Sequence, residues 1–301
     1  MSALAQAFDW LYAAKRQALL DRLLVYVSII GYLVHLLMVF LSSTLGSPPP
    51  FVAAAGRNYL AAIYTPFSFI LFYEVFMLIV ALPRSTTQSI AKQYEIVSLI
   101  YIRRFFEDIA KLDDIGKLAQ LSREVVPVFL DVLAGLLMFF LVTLFVHAVR
   151  KQLLPGQRAE ISAALASFVS QKKMIALVLT FLLVSLAGFS LAGYVREQFA
   201  VIYAGGAATL DANTVFYTAF FNIMIFADVL VVILSLNLSD KYELVFRNAA
   251  FVVSTILIRF SLSTGREYSA LLAIGGMLFG LFTLLIYNYH LRVRALEPRL
   301  I

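Results

Sequence analysis

Five ionisable side chains stand inside long apolar runs, and their chemistry poses the first question about this chain. Tyr217 to Leu238 carries a single charge, Asp228, and Tyr64 to Leu82 carries a single charge, Glu74. Arg259 interrupts Ala249 to Thr264, Asp131 lies near the start of Val125 to Val149, and His35 falls near the middle of Leu23 to Leu45. An ionised carboxylate in hydrocarbon is costly unless it is paired, hydrated or protonated. An acid for which burial and a neighbouring guanidinium nearly cancel can change protonation near neutral pH, whereas one held ionised by an arginine cannot. The chemistry open to these residues is therefore cation binding or proton exchange. Span adjacency assigns Asp228 to Arg259 as a scaffolding pair and leaves Glu74 as the working acid. Asp131 and His35 extend the set towards the other surface.

The elements that carry these residues are transmembrane helices. The chain has 301 residues, of which 62% are hydrophobic, and its mean hydropathy is +0.89. Soluble domains contain about 45–50% apolar residues, so the composition implies an all-α polytopic integral membrane bundle. Seven runs are long and apolar enough to span about 30 Å of hydrocarbon. An eighth, Tyr94 to Lys111, is ambiguous, because its uncharged stretch is only Ile96 to Ile102. Its charged half, with Arg103 opposite Glu107 and Arg104 opposite Asp108, reads as a solvated helix end.

The distribution of basic residues argues that this helix crosses nonetheless. With the amino terminus inside, seven spans divide Lys and Arg 12 to 11, whereas eight spans divide them 15 to 8, leaving Arg259 within its span. Cytoplasmic loops carry the excess of Lys and Arg, which favours eight spans, with seven as the alternative, and places both termini in the cytoplasm. The membrane expected is of the bacterial inner, or plasma, type. The organisation that follows is an amphipathic interfacial helix over 1–21, with Leu4, Phe8, Leu11 and Tyr12 at helical spacing beside Trp10. A first transmembrane half occupies 22–151, a basic cytoplasmic connection 152–173, and a second half with a short basic tail 174–301. Tyr64-Thr65 recurs at Tyr217-Thr218, and Gly135 and Phe139 recur at Gly275 and Phe279. An internal duplication of this kind, with four crossings per unit, yields a parallel 4+4 repeat. Gly275, Gly276 and Gly280 mark close helix packing through small-xxx-small spacing.

Three classes of function fit this reading. The first is a cation or proton pathway, as a channel or an ion-coupled transporter. The second is a structural or assembly protein whose buried charges specify helix packing. The third, a lipid-modifying membrane enzyme, lacks a visible His/Asp/Ser or metal-binding motif. The absence of Cys removes thiolate chemistry, and three His without a clustered motif give no zinc site, so no cofactor or metal is expected. The expected partners are the lipid bilayer and an inorganic cation or proton, with a homo-oligomer compatible. The net charge of +6 reflects basic helix ends rather than nucleic-acid binding. Between Asn248 and Ser263 Arg259 is the only basic residue, so the repeated arginines of a voltage-sensing helix are missing.

Overall fold

The computed structural model describes residues 3–53, 55–110, 125–150, 163–204, 212–236 and 242–296. Among them it forms ten helices and no strand: α1 (Ala3–Leu11), α2 (Ala14–Thr44), α3 (Pro50–Ala53), α4 (Ala61–Ala81), α5 (Thr86–Ala110), α6 (Val125–Arg150), α7 (Ala163–Ala204), α8 (Ala212–Leu236), α9 (Tyr242–Ser263) and α10 (Arg266–Leu296). Six of these, α2, α4, α6, α7, α9 and α10, are long and apolar enough to cross a membrane, and α8 contributes a shorter apolar stretch, Ala219–Ser235. The chain is therefore a multi-pass integral membrane protein. Much of the basic connection over 152–173 and the end of the carboxy-terminal tail lie outside the described residues.

Residue pairs along the helices give their directions. His35 with Thr65 and Ser43 with Tyr59 set α2 antiparallel to α4. Phe67 stacked on Phe106 at 4.3 Å, with Glu74 beside Arg103, sets α4 antiparallel to α5. Ile102 against Gly135 and Tyr94 against Phe145 do the same for α5 and α6. The second half repeats the manner of pairing: α8 meets α9 through Asp228–Arg259 and Ser235–Asn248. The short turn after Ser263 folds α10 back along α9. By contrast α6 and α10 run parallel, since Asp131 meets Arg266 near their starts and Asn288 donates to the Ala148 carbonyl near their ends.

The most polar helix is enclosed by the others. Along α5, Ile96, Ile100 and Arg103 face α4, while Tyr94, Val97 and Tyr101 face α6, α9 and α10. Residues three, four and seven apart share one side of a helix, so α5 has two buried faces instead of one. Leu99 is its large exposed apolar residue. The outer helices show the reverse pattern, with Ile29, Leu33 and Leu37 on α2 and Phe181 and Phe189 on α7 all exposed. Hydrocarbon is as good a solvent for those side chains as a protein core, so apolar residues turn outward and polar ones pair inside.

The amino-terminal segment departs from the single interfacial helix expected over 1–21. It breaks at Tyr12–Ala13 into α1 and the start of α2, and α1 packs on α7. Phe8 and Tyr12 are buried there, the Tyr12 and Thr180 hydroxyls are hydrogen bonded, and Lys173 Nζ lies 2.6 Å from Asp9. Burial raises the Tyr12 pKa, and the Thr180 bond offsets part of that rise. Leu4 and Trp10 remain exposed, with Arg16 stacked over the Trp10 ring at 4.1 Å. The α1 segment thus docks on α7 through Phe8 and Tyr12.

Candidate functional site: buried acid–arginine pairs

Each acid named from the sequence meets an arginine, and the partners lie on different helices. Arg259 on α9 donates through Nε at 3.0 Å and Nη2 at 2.7 Å to Oδ2 of Asp228 on α8. The same Nη2 reaches Oε1 of Gln93 on α5 at 3.1 Å, so a third helix joins the pair. The Arg259 and Asp228 side chains are only 3% and 6% exposed, which leaves water little part in their solvation. Guanidinium matches this task, since its fixed fork can satisfy two acceptors at once.

Glu74 on α4 is held in the same manner. Arg103 Nη1 donates to its Oε2 at 2.9 Å, with both side chains about one-tenth exposed. This corrects two expectations. Arg103 is not part of a solvated helix end, and Glu74 is not left without a guanidinium while Asp228 has one. The expectation failed because Arg103 and Glu107 stand four apart, which imitates a surface pair. The better signal is that Arg103 continues the stripe of Ile96 and Ile100, the face that α4 covers.

Asp131 lies elsewhere, at the end of the bundle where α6 and α10 begin. Arg266 donates to it at 2.8 Å and also binds Asp108 of α5, so one arginine ties three helices. Here Arg266 is 43% exposed on its side chain, unlike the two interior arginines. His35 on α2 shares a hydrogen bond with the Thr65 hydroxyl of α4. Of the five residues proposed from the sequence, Asp228 and Arg259 come together, and Glu74, Asp131 and His35 each sit with other partners. The basic cavity described below is lined by none of the five.

A run of hydroxyls continues the polar seam along α5. The Tyr94 hydroxyl pairs with Ser254 of α9, which itself donates to the Gly276 carbonyl of α10 at 2.6 Å. Further along, Ser269 of α10 meets Tyr101 at 2.6 Å and Arg104 at 2.7 Å. Two of the three expected glycines account for the close approach. A Cβ at Gly276 would stand 3.0 Å from the Ser254 carbonyl, and one at Gly280 would collide with the Tyr94 hydroxyl. Gly275 faces open space and has no such role. Among the described residues, no group of three His, Asp or Glu side chains is placed to hold a metal ion.

Comparison with protein families, curated proteins and solved structures finds no match.

Proposed function

We propose that the buried acid–arginine pairs act as helix-pairing determinants in an integral membrane protein of structural or assembly type. The single observation that carries this reading is that Glu74 and Asp228 are each bonded to an arginine on the following long helix, 29 and 31 residues away in sequence. In hydrocarbon, a helix that inserts one unpaired acid gains most by docking beside the one neighbour that offers a guanidinium. Each pair thereby selects α4 for α5 and α8 for α9. Such a pair specifies partners more than it adds net stability, because desolvation offsets much of the attraction.

The same arrangement supports eight crossings. Helix α5 has 25 residues, about 37 Å at 1.5 Å per residue, and lies antiparallel to both α4 and α6. A helix paired along two spanning neighbours shares their layer, and its polar groups are tolerated because other helices cover them. With α8 also crossing, the chain forms α2–α4–α5–α6 and α7–α8–α9–α10, consistent with a duplicated four-helix unit in parallel. The parallel course of α6 and α10 is what such a duplication requires.

A cation or proton pathway is the second reading, favoured by the polar seam from Gln93 through Tyr101 to Asp108. Flux measurements in proteoliposomes, made alongside folded yield, separate the two. On the assembly reading, Glu74→Gln and Asp228→Asn both lower the folded yield, and the wild type passes neither protons nor cations under an imposed gradient. Gradient-driven flux in the wild type that Glu74→Gln abolishes, with folding intact, overturns the assembly reading in favour of the pathway.

A further inference from the structure

A cavity of about 370 Å³ lies where α4 turns into α5, bounded also by α7, the end of α8 and the start of α9. Three cations line it, Arg84, Lys172 and Arg247, and no Asp or Glu does. Lys172 is 2% exposed; its Nζ donates to the Arg84 carbonyl at 2.8 Å and sits 4.9 Å from the centre of the Phe168 ring. Arg247 binds the Asn248 side-chain oxygen at 3.0 Å and stacks over Tyr287 at 4.5 Å. These contacts orient the cations without neutralising them: among the described residues, neither has a carboxylate within salt-bridge distance. Asp228 of α8 is already engaged by Arg259.

Uncompensated positive charge in a half-enclosed cavity is unfavourable unless something supplies the anion. The remaining lining describes that anion. Ser85, Thr86 and Asn248 offer donors suited to phosphate oxygens, and Ser85 and Thr86 belong to the amino-terminal end of α5, where the helix dipole favours negative charge. Phe168, Val169 and Pro83 supply an apolar wall. Basic pockets of this kind between spanning helices accept anionic phospholipid headgroups.

We propose that this cavity binds a phosphate-bearing anion, with Lys172 and Arg247 as its charge partners and Ser85 and Thr86 as hydrogen-bond donors. The inference is independent of the role given to the acid–arginine pairs. A glycerophospholipid headgroup and a free phosphate share this chemistry, and the test tells them apart. The purified protein in neutral detergent receives phosphatidylglycerol, phosphatidylcholine or inorganic phosphate; bound lipid is read by native mass spectrometry and protection by the shift in Tm. Phosphatidylglycerol retained and protective over phosphatidylcholine, with phosphate inert, identifies a lipid headgroup. Protection by phosphate without lipid preference identifies a soluble anion. Whichever ligand binds, Lys172→Gln and Arg247→Gln are each expected to weaken it roughly fivefold. Lys172→Arg should retain binding. Ser85→Asp provides the variant that keeps the fold, because Ser85 is exposed and its hydroxyl accepts the Gln88 N–H as a helix cap, which Asp can also do. It places a carboxylate beside the cavity's cations and should abolish binding, with Tm in plain detergent unchanged or raised because the carboxylate itself supplies the missing anion. Equal retention of both lipids with no effect of phosphate, or binding unaltered by Ser85→Asp, overturns the proposal.

Discussion

Replacing Gly280 by alanine tests the three-helix junction where the polar seam crosses the closest helix contact. The added methyl would overlap the Tyr94 hydroxyl, lie 2.9 Å from Ser254 Oγ and 3.1 Å from Tyr94 Cζ. Tyr94 is completely buried and its hydroxyl is bonded to Ser254, so either its ring or the α10 backbone must move. Overpacking of this kind costs about 1–3 kcal/mol, and loss of the Tyr94–Ser254 bond adds about 0.6–1 kcal/mol in a membrane interior. Alanine returns about 1 kcal/mol through its better helix propensity. The net expectation is destabilisation of about 2 kcal/mol. Tyr94→Phe alone should cost about 1 kcal/mol, because Ser254 keeps its bond to the Gly276 carbonyl. The double variant should cost less than the sum of the two, since removing the hydroxyl removes the atom with which the methyl collides. Reversible unfolding in mixed micelles with increasing SDS measures all four corners of this cycle. Strict additivity, or a more stable Gly280→Ala protein, refutes the geometry of the junction.

The other expectations follow from the ion pairs, the topology and the docked amino terminus. Arg259→Leu strands Asp228 and Gln93 in the interior and should cost about 3–5 kcal/mol, while Arg259→Leu with Asp228→Leu should recover most of it; the same mixed-micelle unfolding reads both. Because the chain lacks native Cys, single cysteines can map the topology. A membrane-impermeant maleimide should label Ser85→Cys from the side of the amino terminus and Thr264→Cys from the opposite side, and labelling of both from one side removes the eight-span arrangement. Phe8→Ala should lower stability by about 3 kcal/mol, the lower end for truncating a buried aromatic. Asp9→Asn, whose partner Lys173 sits at a partly exposed site, should cost no more than about 1 kcal/mol, and thermal unfolding in detergent measures both.

Helix positions were legible in the sequence because transmembrane segments declare themselves by composition alone. The runs around Glu74, Asp131, Asp228 and Arg259 all appear as helices, and the partnership of Asp228 with Arg259 followed from two isolated opposite charges on consecutive spans. Hydropathy alone left α5 ambiguous, because it measures preference for lipid and α5 turns mostly towards other helices; only the split of basic residues spoke for a crossing. Its Gln93, Tyr94, Tyr101 and Arg103 count against a span in any window average, yet each is satisfied by a side chain more than a hundred residues away or on the neighbouring hairpin arm. The Glu74–Arg103 pair was hidden for the same reason: i,i+4 spacing within a helix is read along the chain, whereas burial of one face depends on what packs against it. The basic cavity illustrates the limit most clearly. Arg84, Lys172 and Arg247 are isolated basic residues in the sequence, and only the meeting of the α4–α5 turn with α7 and α9 gathers their charge around one space. Composition thus marked the long apolar helices of a membrane bundle, and tertiary packing decided which charge each buried group meets, since pairing in a low-dielectric interior is set by distance in space.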